Sequence, residues 1–133
     1  ARQDELTTLI PNNGKVIFHG GISDAAYAGL LADDAIMVSA SLAEGFGLPL
    51  AEALMMGVPA VVSERPYFRE IAGWDGAVYA DPTSPRLFAD AVLQLDDLAV
   101  RQRYIAGGKF AVSKFTWNSS AKVLLEACQE LSK

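Results

Sequence analysis

Two glutamates, Glu44 and Glu52, flank a glycine-rich run, Gly45-Phe46-Gly47-Leu48-Pro49, with seven residues between them. Gly45 and Gly47 carry no Cβ, so their backbone can approach a ligand closely or take a positive φ. Pro49 suits the first turn of a helix, which puts the amides of Gly47 and Leu48 at a helix start. Donors left open there, with the helix dipole behind them, favour an anion such as a diphosphate. A carboxylate accepts two hydrogen bonds from a vicinal diol, so Glu44 and Glu52 are each suited to hold a sugar or a ribose. On this reading a Cβ at Gly47 obstructs the phosphate and leaves the surrounding core untouched. Each part also has a plainer meaning. An isolated Glu is commonly a solvated surface residue, and a single Gly-x-Gly is often only a turn.

The elements that must position these residues are short apolar runs alternating with helical patterns. Val16–His19, Ala35–Ser39, Ala60–Ser63 and Ala77–Ala80 each read as a buried strand, bounded by Gly, Asp or Pro. Ser23 and Asp24 cap a helix over Ala25–Ala32. Pro49 opens a helix to Met56, which Gly57 and Pro59 terminate. Further helices are expected over Tyr67–Ala72, Arg86–Leu95, Leu98–Lys114 and Thr116–Leu131, with Gly107-Gly108 a weak point in the third of these. Strand–helix alternation of this kind means an α/β fold with a parallel sheet. In an open α/β sheet, ligands sit beyond the carboxyl ends of the strands, where the turn after Ala35–Ser39 lies.

Composition narrows the function classes. A chain of 133 residues, 51% apolar and 20% charged, is one domain with a packed core. The net charge of −5 argues against a nucleic-acid or anionic-membrane surface. It leaves a nucleotide ligand open, because backbone amides hold phosphate without side-chain charge. The lone Cys128 makes no internal disulfide, which fits a reducing cytoplasm. With one Cys and one His, a zinc site is not expected. No apolar run reaches the ~18–20 residues that span a bilayer.

The joint pattern Glu44-Gly-Phe-Gly-Leu-Pro-Leu-Ala-Glu52-Ala-Leu-Met-Met-Gly57-Val-Pro59 resembles the signature of glycosyltransferase family 4 (group 1): two glutamates separated by seven residues, then Gly-x-Pro and a strand. Val16-Ile-Phe-His-Gly20, Ser63 through Glu70-Ile-Ala-Gly73, and Phe115-Thr-Trp117 resemble other stretches of that family. The resemblance implies the nucleotide-sugar-binding half of a GT-B enzyme, a Rossmann-like parallel sheet with flanking helices that lacks its first two strands. Residues 1–133 are then a partial donor-binding domain. It implies that Glu44 contacts the donor hexose and is the catalytic candidate. The amides of Gly45, Phe46, Gly47 and Leu48 hold the sugar and diphosphate, and Glu52 binds the ribose. The implied reaction is retaining hexosyl transfer from a UDP- or GDP-hexose to an acceptor hydroxyl, without metal or other cofactor. Fixed positive groups stabilise the leaving diphosphate. The implied location is cytoplasmic, with attachment at the inner membrane face an option for a longer protein.

The departures carry equal weight. The family's Arg–Lys pair in the first βα unit has no counterpart, since Arg2 and Lys15 do not sit in that pattern. The chain alone is therefore expected to be inactive and to need an acceptor domain. A regulatory or nucleotide-binding module that kept the fold without catalysis is the alternative. A dehydrogenase or epimerase is disfavoured, because Gly-x-Gly-x-x-Gly with an acidic residue about 20 positions on is absent. In the sheet order 3-2-1-4-5-6, the resemblance makes Val16–His19 the third strand and Ala35–Ser39 the fourth. The fourth then has an open edge that invites association, unless the third closes up against it. His19 is expected to pack at its strand end, Trp74 and Trp117 to pack, Met55-Met56 to lie in a core helix, and Arg65 and Arg69 to be surface charges near the strand ends.

Overall fold

The computed structural model describes Ile10 and residues 14–131. Within them the elements are α1 (Asp24–Ala32), β1 (Met37–Ser39), α2 (Leu48–Met56), β2 (Ala60–Ser63), α3 (Pro66–Ala72), β3 (Val78–Ala80), α4 (Pro85–Gln94), α5 (Leu98–Val112) and α6 (Trp117–Leu131). The strands form one parallel sheet in the order β1-β2-β3, with Val38 opposite Val61 and Val62 opposite Tyr79. That is the order expected of strands four to six in the doubly wound scheme.

Burial explains why the middle strand is apolar throughout. Ala60, Val61 and Val62 are fully buried because helices cover both faces of β2. Ala60 and Val62 pack with Leu50 and Leu54 of α2 and Phe68 and Ile71 of α3. Val61 points the other way, into a cluster with Phe88 and Ala91 of α4. Side chains cap the starts of α1, α4 and α5: Ser23 accepts from the Ala26 amide, Ser84 from Leu87, and Asp97 from Ala99 and Val100.

Three expectations need correction. Val16–His19 forms no strand, and Val16, Ile17 and Phe18 are 51%, 59% and 44% exposed. A short apolar run becomes a strand only if another strand offers it a ladder, and no strand pairs with the outer side of β1 among the described residues. Nor do these residues close up against β1, whose Val38 is 52% exposed. Gly107-Gly108 does not weaken α5, which runs unbroken through both. Instead the pair lets α5 lie close: a Cβ on Gly107 would collide with the Asp75 carbonyl, and one on Gly108 would come within 2.7 Å of Leu54. His19 is exposed, in irregular chain, and so neither packs nor ends a strand.

Candidate functional site

β1 ends at Ser39, and the chain then loops through Ser41–Phe46 to the N-cap of α2, Gly47. Gly47 has φ +86° and ψ 45°, the left-handed conformation that glycine adopts without steric cost. Its carbonyl accepts from the Leu50 and Ala51 amides at 3.0 and 3.3 Å, which starts the helix. Pro49 follows in the first turn. The amides of Gly45, Phe46, Gly47 and Leu48 have no protein acceptor among the described residues. A cradle of open donors therefore lies at a helix start beyond the carboxyl end of β1.

The loop is braced from two sides. The Tyr67 hydroxyl donates to the Ser41 carbonyl at 2.9 Å, and Ser41 Oγ to the Ala43 carbonyl at 3.0 Å. Phe46 meets Phe115 edge to face, with ring centroids 5.3 Å apart. Glu44 is exposed at the mouth of the turn, Gly45 is exposed with open space where a Cβ would be, and Leu48 is 61% exposed. Glu52 is exposed one turn into α2. All six residues singled out in the sequence thus fall on one continuous segment, with five of them open to solvent and Gly47 buried.

Burial of Gly47 overturns the idea that a Cβ there would meet only ligand. An ideal Cβ would stand 3.0 Å from Ile71 Cδ1 and 3.4 Å from Phe68 Cε1, both core atoms. Gly47 is glycine because of the fold, and Gly45 is the position where added bulk points into open space.

The exposed face of α2 is the other correction. Leu50, Ala51, Ala53 and Leu54 fill the core, so the helical period turns Leu48, Glu52, Met55 and Met56 outward. The two methionines are 54% and 46% exposed, not core residues. With Asp24, Tyr27 and Leu31 of α1 and Glu52 they line a cleft of about 390 Å³ between the two helices. Burial, and then the Glu52 carboxylate, push the Tyr27 phenol above its ordinary range. Asp24 and Tyr27 carry no motif in the sequence; the outward row at every third and fourth residue of α2 was the available signal.

Other charged groups serve the fold. Arg69 makes two hydrogen bonds to Glu64, at 2.8 and 2.7 Å, and its guanidinium lies between the Trp74 and Tyr79 rings at 4.0 and 3.8 Å. Trp74 and Trp117 are 79% and 92% exposed, against the expectation that they pack. Arg65 is the N-cap of α3, and its Nε is buried without a partner. Its charge adds to the Thr83 hydrogen bonds that hold the Asp81 carboxyl below the usual range. A second cleft, about 410 Å³ between Trp74, Asp75, Phe110 and Lys114, lies at the opposite end of the sheet, where the chain enters β3. No helix among the described residues is long and apolar enough to cross a membrane.

Known proteins resemble this chain in sequence and in shape. Residues 1–97 match the family described as "Glycosyl transferases group 1". The chain is 34% identical over 114 residues to the serotype-specific mannosyltransferase WbdA of Escherichia coli, covering 86% of this chain and 14% of that protein. It is 35% identical over 126 residues to a GDP-mannose-dependent alpha-(1-6)-phosphatidylinositol dimannoside mannosyltransferase of Mycobacterium tuberculosis, covering 94% and 32%. It therefore spans a third or less of the length of these relatives. In shape it superposes on sucrose-phosphate synthase from Thermosynechococcus elongatus with a TM-score of 0.83 at 22% identity, over 98% of this chain and 33% of that one.

Proposed function

The chain belongs to the group 1 glycosyl transferases and has the α/β fold of a GT-B enzyme, and from that premise we propose that it is the donor-binding part of a mannosyltransferase. The observation that carries the reading is the turn at Gly47. It leaves the amides of Gly45–Leu48 open beyond the carboxyl end of β1, between two exposed carboxylates.

The donor is a mannose activated by a nucleoside diphosphate. Its diphosphate rests on the open amides and the start of α2, where the helix dipole offsets its charge. Glu52, one turn along, accepts from the ribose hydroxyls, and Glu44 accepts from hexose hydroxyls. In the transfer, the bond between the anomeric carbon and the diphosphate oxygen breaks, and the oxygen keeps the electron pair. The carbon joins an acceptor hydroxyl oxygen, whose proton passes to the departing diphosphate oxygen, and the configuration is retained. The amide cradle is worth most as the diphosphate departs, because the leaving oxygen then gains charge in front of fixed donors. Because the chain spans a third or less of its relatives' length, the acceptor is assigned to another part of a longer protein, and these 133 residues are expected to bind donor without transferring sugar.

The test is calorimetry with a nucleoside diphosphate and the matching nucleotide-mannose. Glu52→Ala should weaken both ligands about tenfold or more, the value of a lost hydrogen bond to a charged group. Glu44→Ala should spare the nucleotide and weaken only the nucleotide sugar. Equal losses of both ligands in Glu44→Ala contradict the hexose assignment, and unchanged affinities in Glu52→Ala contradict the ribose assignment.

A further inference from the structure

Two bulky aromatic side chains are held out of the core at one place. Trp74 is 79% exposed and Phe110 83% exposed, and both line the cleft of about 410 Å³ where the chain enters β3. Neither ring belongs to a core cluster. Phe110 stands on α5, and Trp74 lies in the turn between α3 and β3. Gly107 brings the two together, because its bare Cα lets α5 rest on the Asp75 carbonyl, where a Cβ would collide. Gly107 and Ala111 are small and leave the space between the rings open.

Trp74 is exposed but not loose. Its indole lies 4.0 Å from the Arg69 guanidinium, which is fixed on Glu64 by hydrogen bonds of 2.8 and 2.7 Å and backed by the Tyr79 ring. Stacking on one face leaves the other face of the indole open. An apolar shelf fixed before a ligand arrives loses little side-chain entropy on binding.

The rim is polar in both senses. One Asp75 oxygen accepts from Arg103 at 2.6 Å, and the other has no partner among the described residues. Lys114 gives one N–H to the Glu70 carbonyl at 3.1 Å and has others to spare. A fitting ligand needs an apolar face for the rings and, at its edge, groups that both donate and accept. A pyranose sugar has both, with C–H bonds on its face and hydroxyls around its edge. An apolar side chain of a partner would fill the space between the rings but would strip water from Asp75 and Lys114 without replacing it.

We propose that this cleft is a saccharide-binding site that takes a neutral hexopyranoside between Trp74 and Phe110, with Asp75 and Lys114 on its hydroxyls. It lies at the opposite end of the sheet from the Glu44 turn, so a sugar held there is not the one that reacts. It tethers a saccharide to the protein, and a tethered chain whose far end reaches the transfer site is raised in effective concentration. The choice of mannosides as the first probe rests on the donor reading above; the saccharide assignment does not.

Titration of the full chain with an α-linked mannotriose, followed through 15N amide shifts, tests this, with glucose and galactose trisaccharides alongside. Shifts are expected at Gly73, Trp74, Asp75 and Phe110, and none at Gly45–Leu48. Trp74→Ala and Phe110→Ala should each weaken the bound sugar about tenfold or more and leave GDP affinity unchanged. Phe110 is exposed on α5 and alanine favours a helix, so Phe110→Ala should keep the wild-type circular dichroism spectrum. No binding by any of the three trisaccharides, shifts centred elsewhere, or sugar affinity unchanged in both variants overturns the proposal. A dimer that Phe110→Ala dissociates makes the cleft a contact between copies and overturns it as well. Sugar binding here by a protein that binds no GDP upholds this site and overturns the donor reading, and GDP binding with no response to any sugar does the reverse.

Discussion

Replacing Gly47 with alanine should destabilise the protein, and the structure says by how much. Two costs add. At φ +86° an L-residue pays about 1–2 kcal/mol for the left-handed conformation. Its Cβ would also stand 3.0 Å from Ile71 Cδ1 and 3.4 Å from Phe68 Cε1, inside a core with both residues 1% exposed. Moving those side chains costs about 1 kcal/mol, the low end for overpacking by one carbon. The expected total is about 2–3 kcal/mol. With a urea m-value of about 1.5 kcal/mol per molar, the midpoint should fall by roughly 1.3–2 M. Gly57→Ala provides the control. Gly57 is also left-handed, at φ +78°, but its Cβ would crowd the Lys109 chain end, 2.6 Å from Cε, which can swing away, and would meet Ile105 Cγ2 at an ordinary contact distance of 3.7 Å. Gly57→Ala should therefore show the conformational cost alone, about 1–2 kcal/mol. Urea unfolding followed by circular dichroism reads both. A Gly47→Ala midpoint equal to the wild type's, or a smaller loss than in Gly57→Ala, would refute the reasoning.

Gly107→Ala separates packing from propensity: helix propensity predicts a gain of up to about 1 kcal/mol, whereas collision with the Asp75 carbonyl predicts a net loss of about 2–3 kcal/mol, read by the same unfolding curves. Gly45→Val should behave in the opposite way to Gly47→Ala, keeping the wild-type midpoint while nucleoside-diphosphate binding falls about tenfold or more, since its side chain enters only the open space before the amides. Burial pushes the Tyr79 phenol up to about 12, against the opposing pull of Arg69. The folded state then holds a proton that the unfolded chain releases near 10, so stability should decline as pH rises from about 10 towards 12, and Tyr79→Phe should flatten that decline in alkaline unfolding curves.

Much of this was legible in the sequence, for local reasons. The helix over Leu48–Met56 declared itself through Pro49 at its start and Gly57 and Pro59 at its end, signals that act within a few residues. Ala60–Ser63 was readable because a strand covered on both faces must be apolar at every position. The segment Glu44–Glu52 was legible as a candidate site because its chemistry is contiguous in sequence. Val16–His19 was misread because pairing depends on a neighbouring strand, and an apolar run does not reveal whether that neighbour exists. Gly107-Gly108 was misread because a flexible pair lowers intrinsic helix propensity, while close contact with Asp75 and Leu54 decides the matter in the folded chain. Asp24 and Tyr27 were invisible because they join Glu52 only when α1 packs against α2.

Nucleoside diphosphate is expected to bind on the Gly45–Leu48 amides and along the exposed row of α2. A 15N-labelled sample titrated with GDP tests it residue by residue. The account predicts the largest amide shifts at Gly45, Phe46, Gly47 and Leu48, with further shifts at Glu52, Met55 and the start of α1, and no change around Trp74 and Phe110 at the other end of the sheet. Shifts centred on the Trp74–Phe110 cleft, or a spectrum unchanged by GDP and by UDP, would contradict it.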